Sequence, residues 1–202
     1  MADKNFERVE VKVILLGESG VGKTSIINRY MNNGISENEE STIGSTFVSK
    51  EIIRGNIIYK LNIWDTTGQE RYHSVTNLFI KGSQIVILVY SIDSKTSFEC
   101  LDYWLSSLEN NMRGEDYILS IVGNKCDLID NEVVAEDIAR NYAEEKHAIF
   151  KLVSAKEIPK GINDLFEGLL DESISRNYIQ NQSEINVNKK KIFKQKKKKR
   201  FC

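Results

Sequence analysis

The stretch from Gly17 to Thr24, reading Gly-Glu-Ser-Gly-Val-Gly-Lys-Thr, constrains this chain more than any other. Glycines at 17, 20 and 22 let the backbone turn tightly, so that several N–H groups converge on one small volume, as a phosphate chain requires. Lys23 adds a cation for β- and γ-phosphates, and the Thr24 hydroxyl adds a ligand for Mg²⁺. The flanks agree. Residues 9–16 read as a strand with an apolar end, and residues 23–31 read as a helix. Phosphates would therefore sit at a helix N-terminus, where the dipole favours negative charge. The candidate phosphate-binding residues are Ser19, Gly20, Val21, Gly22, Lys23, Thr24 and Ser25.

Asp65 closes a strand reading Leu-Asn-Ile-Trp-Asp. A carboxylate at a strand end opposite the phosphate loop orients Mg²⁺, usually through water. Gly68 offers a backbone N–H to a γ-phosphate. The amide of Gln69 both donates and accepts hydrogen bonds, which suits it to orienting an attacking water. Thr42, in the polar loop after the first helix, supplies a hydroxyl for Mg²⁺ and an N–H for the γ-phosphate. Such a loop orders with the triphosphate and relaxes after hydrolysis.

Asn124-Lys125-Cys126-Asp127 follows another apolar strand and carries base recognition. A carboxylate at Asp127 accepts two hydrogen bonds, from guanine N1–H and the 2-amino group. Adenine lacks that donor pair and would leave a buried acceptor unpaired, which disfavours an ATP-using enzyme. Asn124 ties the loop together, and the Lys125 stem lies along the base. Ser154-Ala155-Lys156 supplies a backbone N–H, from Ala155, toward guanine O6.

These motifs fall in a consistent order of elements. Residues 47–54 and 57–63 alternate apolar and polar around Gly55-Asn56, which predicts an antiparallel hairpin. Residues 85–90 form a continuous apolar run, as in a strand buried on both faces. Helical spacing over 96–110 puts Phe98, Leu101, Leu105 and Leu108 on one face. Strands over 117–122 and 149–153 and helices over 134–146 and 162–174 follow, the last with Leu165, Phe166, Leu169 and Leu170 inward. Residues 32–46 and 65–75 read as loops. The alternation predicts an α/β fold: a six-stranded, mostly parallel sheet with one antiparallel hairpin strand and helices on both faces. Ligands in such sheets bind at the carboxyl ends of the strands, where each motif lies.

No apolar run approaches the ~18 residues of a membrane span, the N-terminus lacks a signal-peptide core, and Ala2 stands where N-myristoylation needs glycine. Cysteines at 100, 126 and 202 have neither metal nor disulfide spacing, which points to a reducing, cytosolic setting. The net charge of −1 conceals an asymmetry. Residues 188–202 hold nine Lys/Arg and no acid; the rest of the chain holds the other nineteen against all 29 Asp/Glu, a net of −10. The sequence therefore predicts a domain over 8–178 and a disordered, polybasic tail over 179–202, an arm for an anionic surface. Its run of five basic residues, 196–200, also suits nuclear import. The cysteine at position 202 favours the membrane reading. Nucleic acid is not an expected partner, because the tail has few stacking aromatics.

The chain resembles the Ras superfamily of small GTPases, and within it the Rabs. The signs are Ser41-Thr42-Ile43-Gly44, Ile63-Trp64-Asp65-Thr66 and Gly68-Gln69-Glu70-Arg71-Tyr72-His73-Ser74. Tyr72-His73-Ser74 and Lys160-Gly161-Ile162 lean toward the early-endosomal branch. The resemblance implies a P-loop GTPase fold and a monomeric G domain that binds GTP or GDP with Mg²⁺. It implies slow GTP hydrolysis, with Gln69 catalytic, and vesicle traffic on the cytosolic face of intracellular membranes. Implied partners are an exchange factor, an activating protein supplying an arginine that this chain does not place in cis, effectors, and a prenyl-binding escort of the GDI type. Phe47, Trp64 and Phe79 match the family's aromatic triad for effector docking, and Cys202 its lipidation site. Three positions depart from the pattern. Thr67 stands where alanine is usual, and its β-branched hydroxyl is expected either to hinder Gly68 or to reach the γ-phosphate, giving a GTP-loaded scaffold with impaired hydrolysis as the alternative reading. Ile35 stands where an aromatic usually packs on guanine. Cys202 has neither a paired cysteine nor a C-a-a-X box.

Overall fold

A computed structural model describes residues 6–32, 45–66, 79–157 and 159–179. Its elements are β1 (Glu7–Leu16), α1 (Lys23–Asn32), β2 (Ser45–Arg54), β3 (Ile57–Thr66), β4 (Ile85–Ser91), α2 (Lys95–Glu99) and α3 (Leu101–Asn111). These are followed by β5 (Ile118–Asn124), a 3₁₀ segment (Cys126–Asn131), α4 (Glu136–Glu145), β6 (Ile149–Leu152) and α5 (Pro159–Ser175). The strands form one sheet in the order β2-β3-β1-β4-β5-β6. Every neighbouring pair is parallel except β2 with β3. The doubly wound, mostly parallel sheet expected from the alternation is therefore present, with its one antiparallel hairpin.

Burial explains the order. β4 is buried at all seven positions, as a central parallel strand covered on both faces must be. Successive residues of β1 feed opposite faces. Val11, Val13 and Leu15 join α1 and α5 in one core, where Leu165, Phe166, Leu169 and Leu170 pack as the helical spacing required. Ile14 and Leu16 join α3 and α4 in the second core, around Leu101, Trp104 and Leu108. β2 and β6 are the two sheet edges.

The hairpin turns at Gly55-Asn56, with Arg54 opposite Ile57 and Phe47 opposite Trp64. Cations fasten it to the helices beneath. Arg54 bonds Asp171 at 2.8 Å and Glu167 at 2.9 Å on α5. Lys50 Nζ donates to the Tyr30 carbonyl at 2.6 Å and stands 3.8 Å over the Tyr30 ring, which stacks on Phe166 at 4.0 Å.

Element ends differ from the sequence expectation in instructive places. The helix expected over 96–110 is two helices. Ser94 caps α2 by accepting from Ser97 N–H, and the Ser97 hydroxyl accepts the Ser91 N–H at 3.0 Å, pinning the first turn to β4. The chain then restarts at Leu101 after Cys100, whose ψ is −8°. The 3₁₀ segment has no hydrophobic period to announce it. α5 begins at Pro159, where a missing N–H costs nothing. The core extends to Ile179, which is 1% exposed. Asp65 and Thr66 finish β3 rather than opening a loop, Asn32 closes α1 and Ser45 opens β2.

Candidate functional site

The carboxyl ends of β1, β3, β4 and β5 lie at one end of the sheet, and the loops leaving them build the site. After β1 the chain runs so close to β4 that a Cβ on Gly17 would stand 2.1 Å from the Val89 carbonyl oxygen, and Gly17 also has φ +144°. Gly22 has φ +92°, and a Cβ there would stand 2.3 Å from Asn124 Nδ2. Only glycine satisfies both demands at both positions. The loop delivers α1 with no acid in its first turn and Arg29 in its last, so its positive N-terminal end remains available to an anion.

Lys23 is 6% exposed and donates from Nζ to the carbonyls of Gly17 (2.7 Å) and Glu18 (2.8 Å). Burial pushes its pKa down to about 8, while the charges of Asp65 and Glu18 pull the other way. A desolvated ammonium at a helix N-terminus is a cation that a phosphate would stabilise. Thr24 Oγ1 donates to Asp65 Oδ2 at 2.6 Å, and Asp65 is buried at the end of β3. Two hard oxygens side by side fit Mg²⁺, which commonly takes one or two protein oxygens and completes its shell with phosphate and water. Among the described residues no cluster of three His, Cys, Asp or Glu forms a self-sufficient metal site. A cation here would take further ligands from a phosphate chain and from water.

The other end of the site is laced by side chains. Asn124, 2% exposed, donates from Nδ2 to the Val21 carbonyl at 2.8 Å and accepts from Ala155 N–H at Oδ1 (3.2 Å). One amide thus joins the phosphate loop, the end of β5 and the loop after β6. Ser154 is fully buried. Its hydroxyl donates to Asp127 Oδ1 at 2.6 Å and accepts from the N–H groups of Lys156 (3.2 Å) and Glu157 (3.0 Å), so it braces the Asp127 carboxylate from behind. Between these loops lies a cleft of about 330 Å³ lined by Gly20, Gly22, Ser25, Asn124, Lys125, Asp127, Leu128, Ala155 and Lys156. Ser19 is exposed at its phosphate end, and Val21 is buried beneath it.

Eight of the expected binding residues thus share one cleft, with Lys23, Thr24 and Asp65 at the phosphate loop. Thr42, Gly68, Gln69 and Cys202 lie outside the described residues, as do Ile35 and Thr67. Two contributors escaped the sequence reading. Leu128 lines the cleft directly after Asp127. Arg29, on α1, donates to the carbonyls of Ala155 (Nε, 2.6 Å) and Lys156 (Nη2), holding that loop against the phosphate-loop helix. Nothing local marks Arg29, because its partners lie far along the chain. Away from the cleft, Phe47 stands 5.1 Å from Trp64, and Trp64 stands 5.1 Å from Phe79, forming one continuous aromatic surface on which Phe47 is half exposed.

A mostly parallel sheet with a phosphate loop after its first strand and an Asn-Lys-x-Asp loop after its fifth defines a P-loop GTPase. The sequence model of the Ras family matches residues 12–175, and the chain belongs to that family. It is 41% identical over 160 residues to the human Ras-related protein Rab-31, covering 79% of this chain and 81% of that one. It is 41% identical over 157 residues to the human Ras-related protein Rab-22A (78% and 80% covered). Identity to the Ras-related protein Rab5 of Nicotiana tabacum is 37% over 166 residues (82% of each). These similarities bear out the Rab assignment and the lean toward the early-endosomal branch. The chain is a GTPase, and as a Rab-type GTPase it takes part in vesicle traffic.

Proposed function

We propose that the chain is a timed switch: loaded with GTP it recruits effectors to a membrane, and hydrolysis ends the signal. The observation that carries this reading is Asn124, whose two hydrogen bonds bring a cation-bearing phosphate loop and a carboxylate-bearing base loop to opposite ends of one cleft. In this reading Asp127 accepts from guanine N1–H and the 2-amino group, Ala155 N–H faces O6, and Lys125 covers the base. Lys23 exchanges its two carbonyl partners for the β- and γ-phosphates. Its ammonium and the loop N–H groups then stabilise the charge that develops during attack on the γ-phosphate. Gln69 orients the water, while Gly68 and Thr42 sense the γ-phosphate. Thr24, Thr42 and Asp65 would hold Mg²⁺, which would supply positive charge against the developing charge on the phosphates.

The aromatic surface of Phe47, Trp64 and Phe79 is the effector-docking face in this scheme. The tail beyond Ile179, modified at Cys202, anchors the domain to the cytosolic face of an intracellular membrane. One isoprenoid anchors weakly, and each Lys/Arg near an anionic leaflet adds about 1 kcal/mol, so nine cations supply the second signal. An exchange factor, an activating protein and a GDI-type escort complete the cycle. No helix among the described residues is long and apolar enough to cross a membrane.

The test is displacement of a fluorescent GDP analogue by GTP, ATP and XTP, followed by single-turnover hydrolysis. Displacement by GTP alone with slow release of phosphate is the expected result. Equal displacement by ATP would overturn the base assignment. Binding without turnover would favour the GTP-loaded scaffold that Thr67 suggests.

A further inference from the structure

We infer that Asp93 is a positioning residue for guanine-nucleotide retention, acting by holding Lys125 in its base-facing pose before the nucleotide arrives. The inference rests on placing the base beside Lys125 and Asp127, as proposed above. Asp93 belongs to no motif of the sequence reading. It follows β4, two residues beyond a strand end that lies level with Asn124 in the sheet.

The geometry has three parts. The Asp93 carboxylate accepts from the Ser91 hydroxyl and lies 3.6 Å from Lys125 Nζ. Its segment is itself clamped to the base loop: Ile92 N–H donates to the Asn124 carbonyl at 3.1 Å, and the Ile92 carbonyl accepts from Val133 (2.9 Å) and Val134 (3.2 Å). Asp93 is thus fixed to the framework on which Lys125 stands. The Ser91 hydrogen bond holds the Asp93 carboxyl below the usual carboxylate range, with Lys125 helping, so the anion persists.

Lys125 needs such an anchor. Its backbone is in the left-handed region, at φ +64° and ψ +35°, which is costly for a residue with a side chain. Its stem borders the cleft. A four-carbon side chain with a freely hydrated head samples many rotamers, and covering a planar base would then require ordering it at the moment of binding. The Asp93 carboxylate does this ordering in the folded chain. It also draws the ammonium to the outer end of the stem, leaving the methylenes for the base.

The expected effect is on release. If the free side chain spends about a fifth of its time in the base-facing pose, Asp93→Ala weakens GDP binding about fivefold, and with association little changed the loss is read as about fivefold faster release. The experiment measures release of a fluorescent GDP analogue from the full chain under excess unlabelled GDP, for the parent, Asp93→Ala, Asp93→Asn, Asp93→Glu, Lys125→Met and the double variant Asp93→Ala/Lys125→Met. Binding by the parent is established first; its failure would overturn the base placement as well as this inference. Asp93→Asn keeps an acceptor for Ser91 and removes only the charge, so it should release faster even if Asp93→Ala folds poorly. Asp93→Glu should restore part of the retention. The double variant should release no faster than Lys125→Met alone, because Asp93 acts through Lys125. The pair is about one-third exposed, so 0.5 M NaCl should narrow the gap between parent and Asp93→Asn. Parent-like release from Asp93→Asn, or effects of Asp93→Ala and Lys125→Met that multiply in the double variant, would overturn the inference.

Discussion

Replacing Asn124 with alanine removes a side chain that ties the end of β5 to the phosphate loop and to the loop after β6, and the structure sets the size of the loss. Two hydrogen bonds go, to Val21 O at 2.8 Å and from Ala155 N–H at 3.2 Å. Each loss leaves a buried partner unpaired, which costs about 1–3 kcal/mol per group. Ala155 lines a cleft that admits water, which sets the lower end, about 1 kcal/mol, for its N–H; Val21 is 1% exposed and does not line the cleft, which puts its carbonyl nearer the middle, at about 2 kcal/mol. The total is about 3 kcal/mol, nearer to 4 if the Val21 carbonyl stays dry. For a domain of this size about 3 kcal/mol lowers the melting temperature by roughly 6–12 °C. If half of it appears instead as lost preorganisation of the cleft, GDP affinity falls about tenfold. The assay pairs thermal melting of nucleotide-free Asn124→Ala with GDP titration. Melting within about 2 °C of the parent, together with unchanged GDP affinity, would refute the view of Asn124 as a brace.

The other predictions follow from single groups. Lys23 titrates near 8 when folded against 10.5 when unfolded. Below pH 8 both states hold the proton; between pH 8 and 10.5 only the unfolded chain does, so this residue's contribution to stability rises with pH, by at most ~3 kcal/mol. Melting of the nucleotide-free parent against Lys23→Met at pH 7.5 and 9.5 should show the parent gaining ground, and a constant difference would contradict the burial argument. Asp127→Asn should lower GTP affinity about a hundredfold through loss of two charge-assisted hydrogen bonds and shift preference to xanthine nucleotides, as read by competition. Gln69→Leu should leave GTP binding intact and slow single-turnover hydrolysis by about tenfold or more. Thr67→Ala should raise hydrolysis by relieving a β-branched side chain beside Gly68; equal rates in parent and variant would make Thr67 a neutral departure.

The legible parts of this chain were those where chemistry is written in adjacent residues. The phosphate loop and the Asn-Lys-x-Asp loop are short strings whose backbone does most of the work. The register of the hairpin was also implicit, since a two-residue turn pairing Arg54 with Ile57 counts back to Phe47 opposite Trp64. Long-range lacing was not legible. Arg29 reaches Ala155 across 126 positions, and Lys125 meets Asp93 from a neighbouring strand end. No local pattern encodes either pairing; each exists because parallel strands bring distant loops to one end of the sheet. The division between α2 and α3 was hidden for a different reason. The Ser94 and Ser97 hydroxyls redirect backbone hydrogen bonds there, Ser94 accepting from Ser97 N–H and Ser97 bonding the Ser91 N–H and the Ser94 carbonyl, while the apolar spacing continues undisturbed.

The two edges of the sheet bear on how this protein behaves in a crowd. An open edge strand is a template for a strand from another molecule, and aggregation follows where such a template is long, flat and uncharged. β6 has four residues, too few to nucleate a lasting pairing. β2 has ten, but Lys50 and Arg54 are held along it by their bonds to Tyr30, Glu167 and Asp171, and Glu51 pairs with Arg8 on its exposed side. A foreign strand laid there would have to desolvate these charges without offering them better partners, at several kcal/mol. The contacts that fasten the hairpin to the helices thus also discourage the sheet from growing.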